Sequence, residues 1–189
     1  MSEALSGGFD TPSVQSALAF RAAMTAMARP GRIETLAGAA APAPVSPAAA
    51  VLLLTLCDAE TPVFLAGAHD RDAVRAWLAF HCGAPLVARR AEAMFALGRW
   101  ETLAPVADFP AGTPEYPDRA ATLIVEVDEL HPEGAGLSGP GILGTARLSL
   151  PEVAAFRANH ARFPLGFDSF LTCGNRIAGL PRSTRVEAG

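Results

Sequence analysis

Apolar residues recur at helical spacing in the first part of the chain. Ala17, Phe20, Met24 and Met27 fall on one face, and this predicts a helix from about Thr11 to Ala28. Thr11 stands where an N-cap is wanted and Pro12 suits the first helical position. Arg29-Pro30-Gly31 ends the helix, because proline disfavours helical geometry in the residue before it. Arg32 to Leu36 alternates briefly, as a short strand does. The Ala- and Pro-rich stretch 37–47 reads as a loop. Ser46-Pro47 then opens a second helix to about Cys57. That helix is apolar on nearly every side, which marks an element covered by other layers. Thr61 to Leu65 reads as a short strand. Asp70 is placed to cap a third helix to about Cys82, with Val74, Trp77, Leu78 and His81 on one face and Gly83 and Pro85 as its stop.

The second half is more broken. Pro85 to Ala88 and Ala93 to Leu97 are strand candidates, and a short helix is expected around Glu101 to Ala107. Phe109 to Arg119 carries three prolines and a glycine and reads as an irregular loop. Ala121 to Val127 is the clearest strand, with Thr122, Ile124 and Glu126 on one side and Leu123, Val125 and Val127 on the other. A glycine-dense stretch, 134–141, precedes a strand from Ile142 to Leu150. Pro151 opens a last helix to about Arg162, and Leu165 to Thr172 is another strand. From Cys173 onward the chain reads as a polar tail. Strands and helices alternate without strict βαβ regularity. The expected fold is therefore α/β: one domain over residues 1–189, with a mixed β-sheet flanked by helices and the first ten residues flexible.

Composition narrows the chemistry. Half of the 189 residues are apolar and 18% are charged, a globular profile. The net charge of −4 argues against a nucleic-acid binder, which needs a basic face toward phosphates. Ala48 to Leu56, the most apolar stretch, is far shorter than the ~20 residues that cross a bilayer. No secretory signal pattern opens the chain, so a soluble, cytoplasmic protein without a membrane partner is expected. The three widely spaced cysteines, Cys57, Cys82 and Cys173, suggest neither a disulfide framework nor a metal site. All 15 basic residues are arginine. A chain without lysine has no Schiff-base lysine for pyridoxal phosphate and no Walker A lysine for nucleotide phosphates.

No self-sufficient catalytic set stands out, and no catalytic residue is assigned. His69, His81, His131 and His160 form no metal-binding or protease pattern. Gly139-Pro140-Gly141 leads into a strand rather than a helix, so it reads as a tight turn and not a phosphate cradle. Tyr116-Pro117-Asp118-Arg119 places a carboxylate and a guanidinium at one end of the clearest strand. The tail adds Arg176, Arg182 and Arg185. Arginine forks suit phosphate and phosphonate oxygens, and they equally suit carboxylates on a partner. Asp118, Arg119, Arg182 and Arg185 are therefore candidates for binding an anion such as a phosphorylated small molecule. A structured turn with an internal ion pair, and a solvated basic tail, are the plainer readings of the same residues.

Ordered segments across nearly the whole chain resemble the PhnH family, the H subunit of the bacterial carbon–phosphorus lyase system. They run from Phe20-Arg21 through Met27-Ala28-Arg29-Pro30-Gly31, then Leu52 to Val63, Tyr116 to Leu123, and Leu137 to Ile142. Phe163-Pro164-Leu165-Gly166-Phe167-Asp168 and Ile177 to Val186 complete the set. The resemblance implies a fold like the large domain of pyridoxal-phosphate-dependent transferases, used without that cofactor or any other. It implies a role in phosphonate catabolism. With the G, I and L subunits, such a chain is required to transfer ribose triphosphate from ATP to methylphosphonate. It also belongs to a core complex with the G, I and J subunits. The expectation is a subunit without catalysis of its own, forming a homodimer when isolated. The alternative is a stand-alone enzyme binding a nucleotide or phosphonate through its arginine cluster.

Overall fold

A computed structural model describes residues 6–189. Its centre is a six-stranded sheet in the order β1-β8-β7-β4-β3-β2. The strands are β1 (Ile33–Thr35), β2 (Val63–Leu65), β3 (Phe95–Arg99), β4 (Thr122–Glu126), β7 (Asp168–Cys173) and β8 (Arg176–Leu180). The run β2-β3-β4-β7 is parallel, and β8 and β1 complete the sheet antiparallel. A second, antiparallel sheet pairs β5 (Ala135–Ser138) with β6 (Ala146–Leu148) and β9 (Arg185–Glu187). The helices are α1 (Pro12–Ala28), α2 (Pro47–Leu56), α3 (Asp72–His81), α4 (Trp100–Leu103) and α5 (Val153–His160). The mixed α/β class expected from the sequence is the class observed.

Covering both faces of the main sheet explains the strand patterns. Leu97, Ile124, Phe170 and Ile177 join one apolar cluster with α1, α2 and α3, whose fully buried members include Leu52, Leu53, Trp77 and Leu78. Ala96, Leu123, Val125, Leu171 and Ala178 point the other way, to Trp100, Leu103, Phe156, Phe167 and the small sheet. Both sets of alternating positions in β4 are therefore apolar, as in sheets buried on two sides. Among the described residues, no helix is long and apolar enough to cross a membrane.

Several local expectations are corrected. Thr11 does not cap α1 through its side chain; instead its backbone N–H donates to Gln15 Oε1 at 2.6 Å. Arg71, not Asp70, precedes α3, while Asp70 pairs with Arg75 at 2.5 Å. Ser46 does cap α2, accepting from the Ala49 N–H at 3.2 Å. Pro85 to Ala88 contributes only a single bridge, Leu86 to Val63. The helix expected over Glu101 to Ala107 is one turn of α4 followed by a 3₁₀ turn, Val106–Asp108. The glycine-dense stretch holds β5. The tail holds β8 and β9, so it is part of both sheets rather than a solvated extension. Gly179 shows why β8 carries a glycine: α1 passes so close that a Cβ there would lie 2.6 Å from the Met27 nitrogen. Of the first ten residues, 1–5 lie outside the described part. Beyond them, the Ser6 carbonyl accepts from Trp77 Nε1 at 3.2 Å and the Gly7 carbonyl from the Ala40 N–H at 2.7 Å.

Candidate functional site

The parallel strands deliver their carboxyl ends to one edge of the sheet, the usual place for ligands in open α/β sheets. Register sets Arg99 of β3 beside Glu126 of β4, and Glu126 beside Thr172 of β7, so the three form a row across the strand ends. Glu126 is buried. Its Oε1 accepts the Ser46 N–H at 2.7 Å, tying it to the start of α2, and its Oε2 accepts the Thr172 hydroxyl at 3.1 Å. Burial raises its pKa above the ordinary carboxylate value, against the lowering effect of these donors and of Arg99.

His69 meets Glu126 from the 3₁₀ turn Gly67–His69 that follows β2. Its Nε2 lies 3.9 Å from Glu126 Oε1. Only 2% of His69 is exposed, yet neither ring nitrogen has a partner within hydrogen-bond geometry. Burial holds the ring's pKa below its ordinary value; the nearby Ala66 carbonyl opposes this and Arg99 adds to it. A buried imidazole lacking partners is unusual, since buried polar groups are nearly always paired.

Glu126 forms part of the wall of a cavity of about 400 Å³, with Arg99, Trp100, Glu101, Asp128 and Ser149 among its other lining residues. Arg99 Nη2 reaches Asp128 Oδ2 at 2.5 Å and its Nε stands 4.0 Å from Glu101 Oε2. Arg99 thereby holds the Asp128 carboxyl below its ordinary pKa. Trp100 is fixed from behind: Nε1 donates to Glu152 at 2.8 Å and the ring stacks on Phe156 at 5.0 Å. The cavity as a whole is acidic.

The four anion-binding candidates lie elsewhere. Asp118 and Arg119 sit in a 3₁₀ turn, Pro117–Arg119, ahead of β4, so they mark its amino end. Asp118 and Arg182 border a shallow depression of about 340 Å³, and Arg119 and Arg185 are not among its lining residues. Arg182 is held from within. Nε donates to Asp168 Oδ1 at 3.1 Å, Nη2 to Asp168 Oδ2 at 2.5 Å and Nη1 to the Pro117 carbonyl at 2.5 Å. The Arg119 guanidinium lies over the Tyr116 ring, 4.2 Å from its centroid. Arg185 is exposed on β9, opposite Ser138. Among the described residues, no ion pair joins Asp118 to Arg119. Of the three arginines, Arg182 is the one that lines this depression.

Residues 7–187 match the family described as "Bacterial phosphonate metabolism protein (PhnH)". The chain belongs to that family. A relative from Rhizobium meliloti (strain 1021), described as "Alpha-D-ribose 1-methylphosphonate 5-triphosphate synthase subunit PhnH", is 41% identical over 195 residues. The alignment covers 98% of this chain and 97% of the relative. Membership of the PhnH family fits the ordered segments, which include parts of α1 and α2 and strands of both sheets. The row Arg99–Glu126–Thr172 and the facing His69 were not singled out from sequence. The available signal was Glu126 itself, a carboxylate in a strand otherwise built for burial on both faces.

Proposed function

We propose that this chain is the H-type subunit of an α-D-ribose 1-methylphosphonate 5-triphosphate synthase, acting in phosphonate catabolism. Its role is assembly with other subunits rather than chemistry of its own. The observation that carries this reading is 41% identity over 98% of the chain to a protein described as a subunit of that synthase. The partners proposed are the G, I and L subunits for the transfer reaction, with J joining G, H and I in the core complex. The cytoplasm is the proposed location. No cofactor is proposed, and the likeness of the main sheet to the large domain of pyridoxal-phosphate-dependent transferases remains our reading, supported by its parallel run flanked on both faces.

A partner-binding surface is at hand. Along α1, Val14, Leu18, Phe20 and Met24 are between 50% and 61% exposed. Beside them an apolar cavity of about 330 Å³ is lined by Met27, Leu56 and Phe170, among others. Exposed apolar groups beside an apolar cavity suit an interaction site. This face is where the isolated chain would form its homodimer. The test is co-purification: tagged chain from phosphate-starved cells is expected to bring down the other synthase subunits in stoichiometric amounts. Recovery of the chain alone would sink the subunit reading.

A further inference from the structure

We propose that the depression beside α1 bordered by Arg21, Arg29 and Arg32 binds the oligophosphate chain of a phosphorylated small molecule. The proposal goes beyond the subunit reading and does not depend on it.

The sequence builds this site around the end of one helix. Arg21 lies on α1, Arg29 follows its last residue, and Gly31 takes a φ of +91° that turns the chain back. The Arg32 N–H then returns to the Arg29 carbonyl at 3.0 Å. All three arginines border one depression of about 490 Å³, and Met24, Thr25 and Ala28 form the rest of its lining. That volume is within the ~300–1,000 Å³ of small-molecule sites.

Charge sets the ligand class. The chain has a net charge of −4, yet none of the 17 residues of α1 is acidic. No acidic residue lines the depression. Among the described residues, the Arg21 and Arg29 side chains make no hydrogen bond, ion pair or ring contact. Arg32 has a carboxylate beside it, Glu34, but that ion pair lacks hydrogen-bond geometry, since Glu34 Oε1 has no hydrogen-bond partner. The Thr25 hydroxyl is committed to the Arg21 carbonyl at 2.8 Å. Guanidinium forks are therefore the donors this surface offers. They differ from Arg182, whose fork is filled by Asp168 and the Pro117 carbonyl.

Helix electrostatics does not account for the set. Cations near a helix C-terminus complement its dipole, but the effect fades within the last turn. Arg21 stands further back, about two turns before Arg29. The carbonyls that would repel an anion are partly engaged: Thr25 accepts from the Arg29 N–H at 3.0 Å, and Ala28 packs against Gly141. Spacing favours several phosphates over one. Two turns of helix rise about 12 Å. A lone phosphate fills one fork, whereas consecutive phosphates present several charges, each able to take a bidentate fork.

Calorimetric titration of the full chain with sodium tripolyphosphate tests this at low and moderate salt. Wild type is compared with Arg21→Gln/Arg29→Gln and with Arg157→Gln/Arg162→Gln, which removes the same charge outside the depression. All four arginines are exposed, so the variants fold, and thermal unfolding verifies it. Saturable binding to wild type is expected, weakened by salt. It should fall about tenfold in Arg21→Gln/Arg29→Gln and change less than about twofold in the other pair. Arg21→Lys/Arg29→Lys keeps the charge and should retain only part of the affinity. ATP, with the same chain on a nucleoside, should show the same pattern. No saturable heat with wild type, or equal losses in the two glutamine variants, overturns the inference. Binding of tripolyphosphate but not of ATP overturns the assignment to a phosphorylated small molecule. Tighter binding of triglutamate than of tripolyphosphate also overturns it, and marks the face as a contact for an acidic peptide. None of these outcomes touches the subunit reading, which co-purification decides separately.

Discussion

Arg182 provides a direct test of whether the C-terminal arginines hold ligands or hold the fold. Replacing it with alanine removes three side-chain hydrogen bonds, two to Asp168 and one to the Pro117 carbonyl. Arg182 is 12% exposed and Asp168 26%, so the pair is neither fully screened nor fully buried. Hydrogen bonds to charged groups contribute about 1.5–3 kcal/mol each when isolated, but these share one guanidinium and are not additive. Asp168 also keeps the Arg182 backbone N–H at 2.9 Å and some contact with water. A net loss of about 3 kcal/mol follows, below the full penalty for stranding a buried charge. For a chain of this length that lowers Tm by about 6–12 °C. Arg119→Ala, which removes only a stacked and exposed guanidinium, should cost about 0.5 kcal/mol. Urea denaturation of both variants, with Asp168→Asn to close a double-mutant cycle, measures the coupling directly. If Arg182→Ala stays within 0.5 kcal/mol of wild type, or Arg119→Ala matches it, the internal-lock reasoning is refuted.

Other consequences can be read in the same assays. Burial holds the His69 pKa below its ordinary 6.5, so the stability it supports is complete above that pH and falls as pH drops. Denaturant midpoints across this range should show an acid loss that His69→Gln reduces. Glu126 acts with the opposite sign: its raised pKa gives stability that is present below 4.5 and lost as pH rises through the folded value. Glu126→Gln, whose amide can still accept from Ser46 and donate to Thr172, should therefore gain on wild type as pH rises from 4.5 toward neutrality. Gly179→Ala should destabilise by about 1–3 kcal/mol through its clash with α1, read from thermal unfolding. If α1 forms the proposed dimer face, Leu18→Asp shifts the isolated chain toward monomer on a sizing column, with far-UV dichroism unchanged because Leu18 is 61% exposed within one chain.

Helices α2 and α3 and the strand β4 were legible because their apolar spacing and their stops agree with the tertiary structure, whereas α1 keeps its expected extent but buries Ala19, Ala23 and Ala26 and exposes Ala17, Phe20 and Met24 of the face read as apolar. The tail was not. Arg176 and Gly179 interrupt the apolar signal of β8, yet Arg176 lies at the strand's first residue and Gly179 is required by the close approach of α1. The period of the pattern was obscured by a contact with an element more than a hundred residues earlier in the chain. The same limit hid the carboxyl-end site. His69, Glu126 and Thr172 share no motif, and only strand register brings Arg99, Glu126 and Thr172 into one row. Asp118 and Arg182 both border the amino-end depression, while Arg119 stacks on Tyr116 and Arg185 extends on β9.

Where the arginines go bears on the absence of lysine. Arg90 donates to the carbonyls of Thr102, Leu103 and Ala104 at 3.1–3.3 Å, closing the end of α4, while it lies 5.2 Å over the Phe64 ring. Arg71 donates to the Ala43 carbonyl, Arg147 to the Gly134 carbonyl, and Arg75, Arg99 and Arg182 each pair with an aspartate. A planar fork with five donors can join several backbone carbonyls or grip a carboxylate at two points, which one ammonium does less well. An arginine-only chain is thus suited to tying loops to helix ends. A polyanion site would need several guanidinium groups with free donors converging on one space. Here the arginine at the amino-end depression is already occupied and the carboxyl-end cavity is lined by acids, whereas Arg21, Arg29 and Arg32 line one depression of about 490 Å³ beside α1.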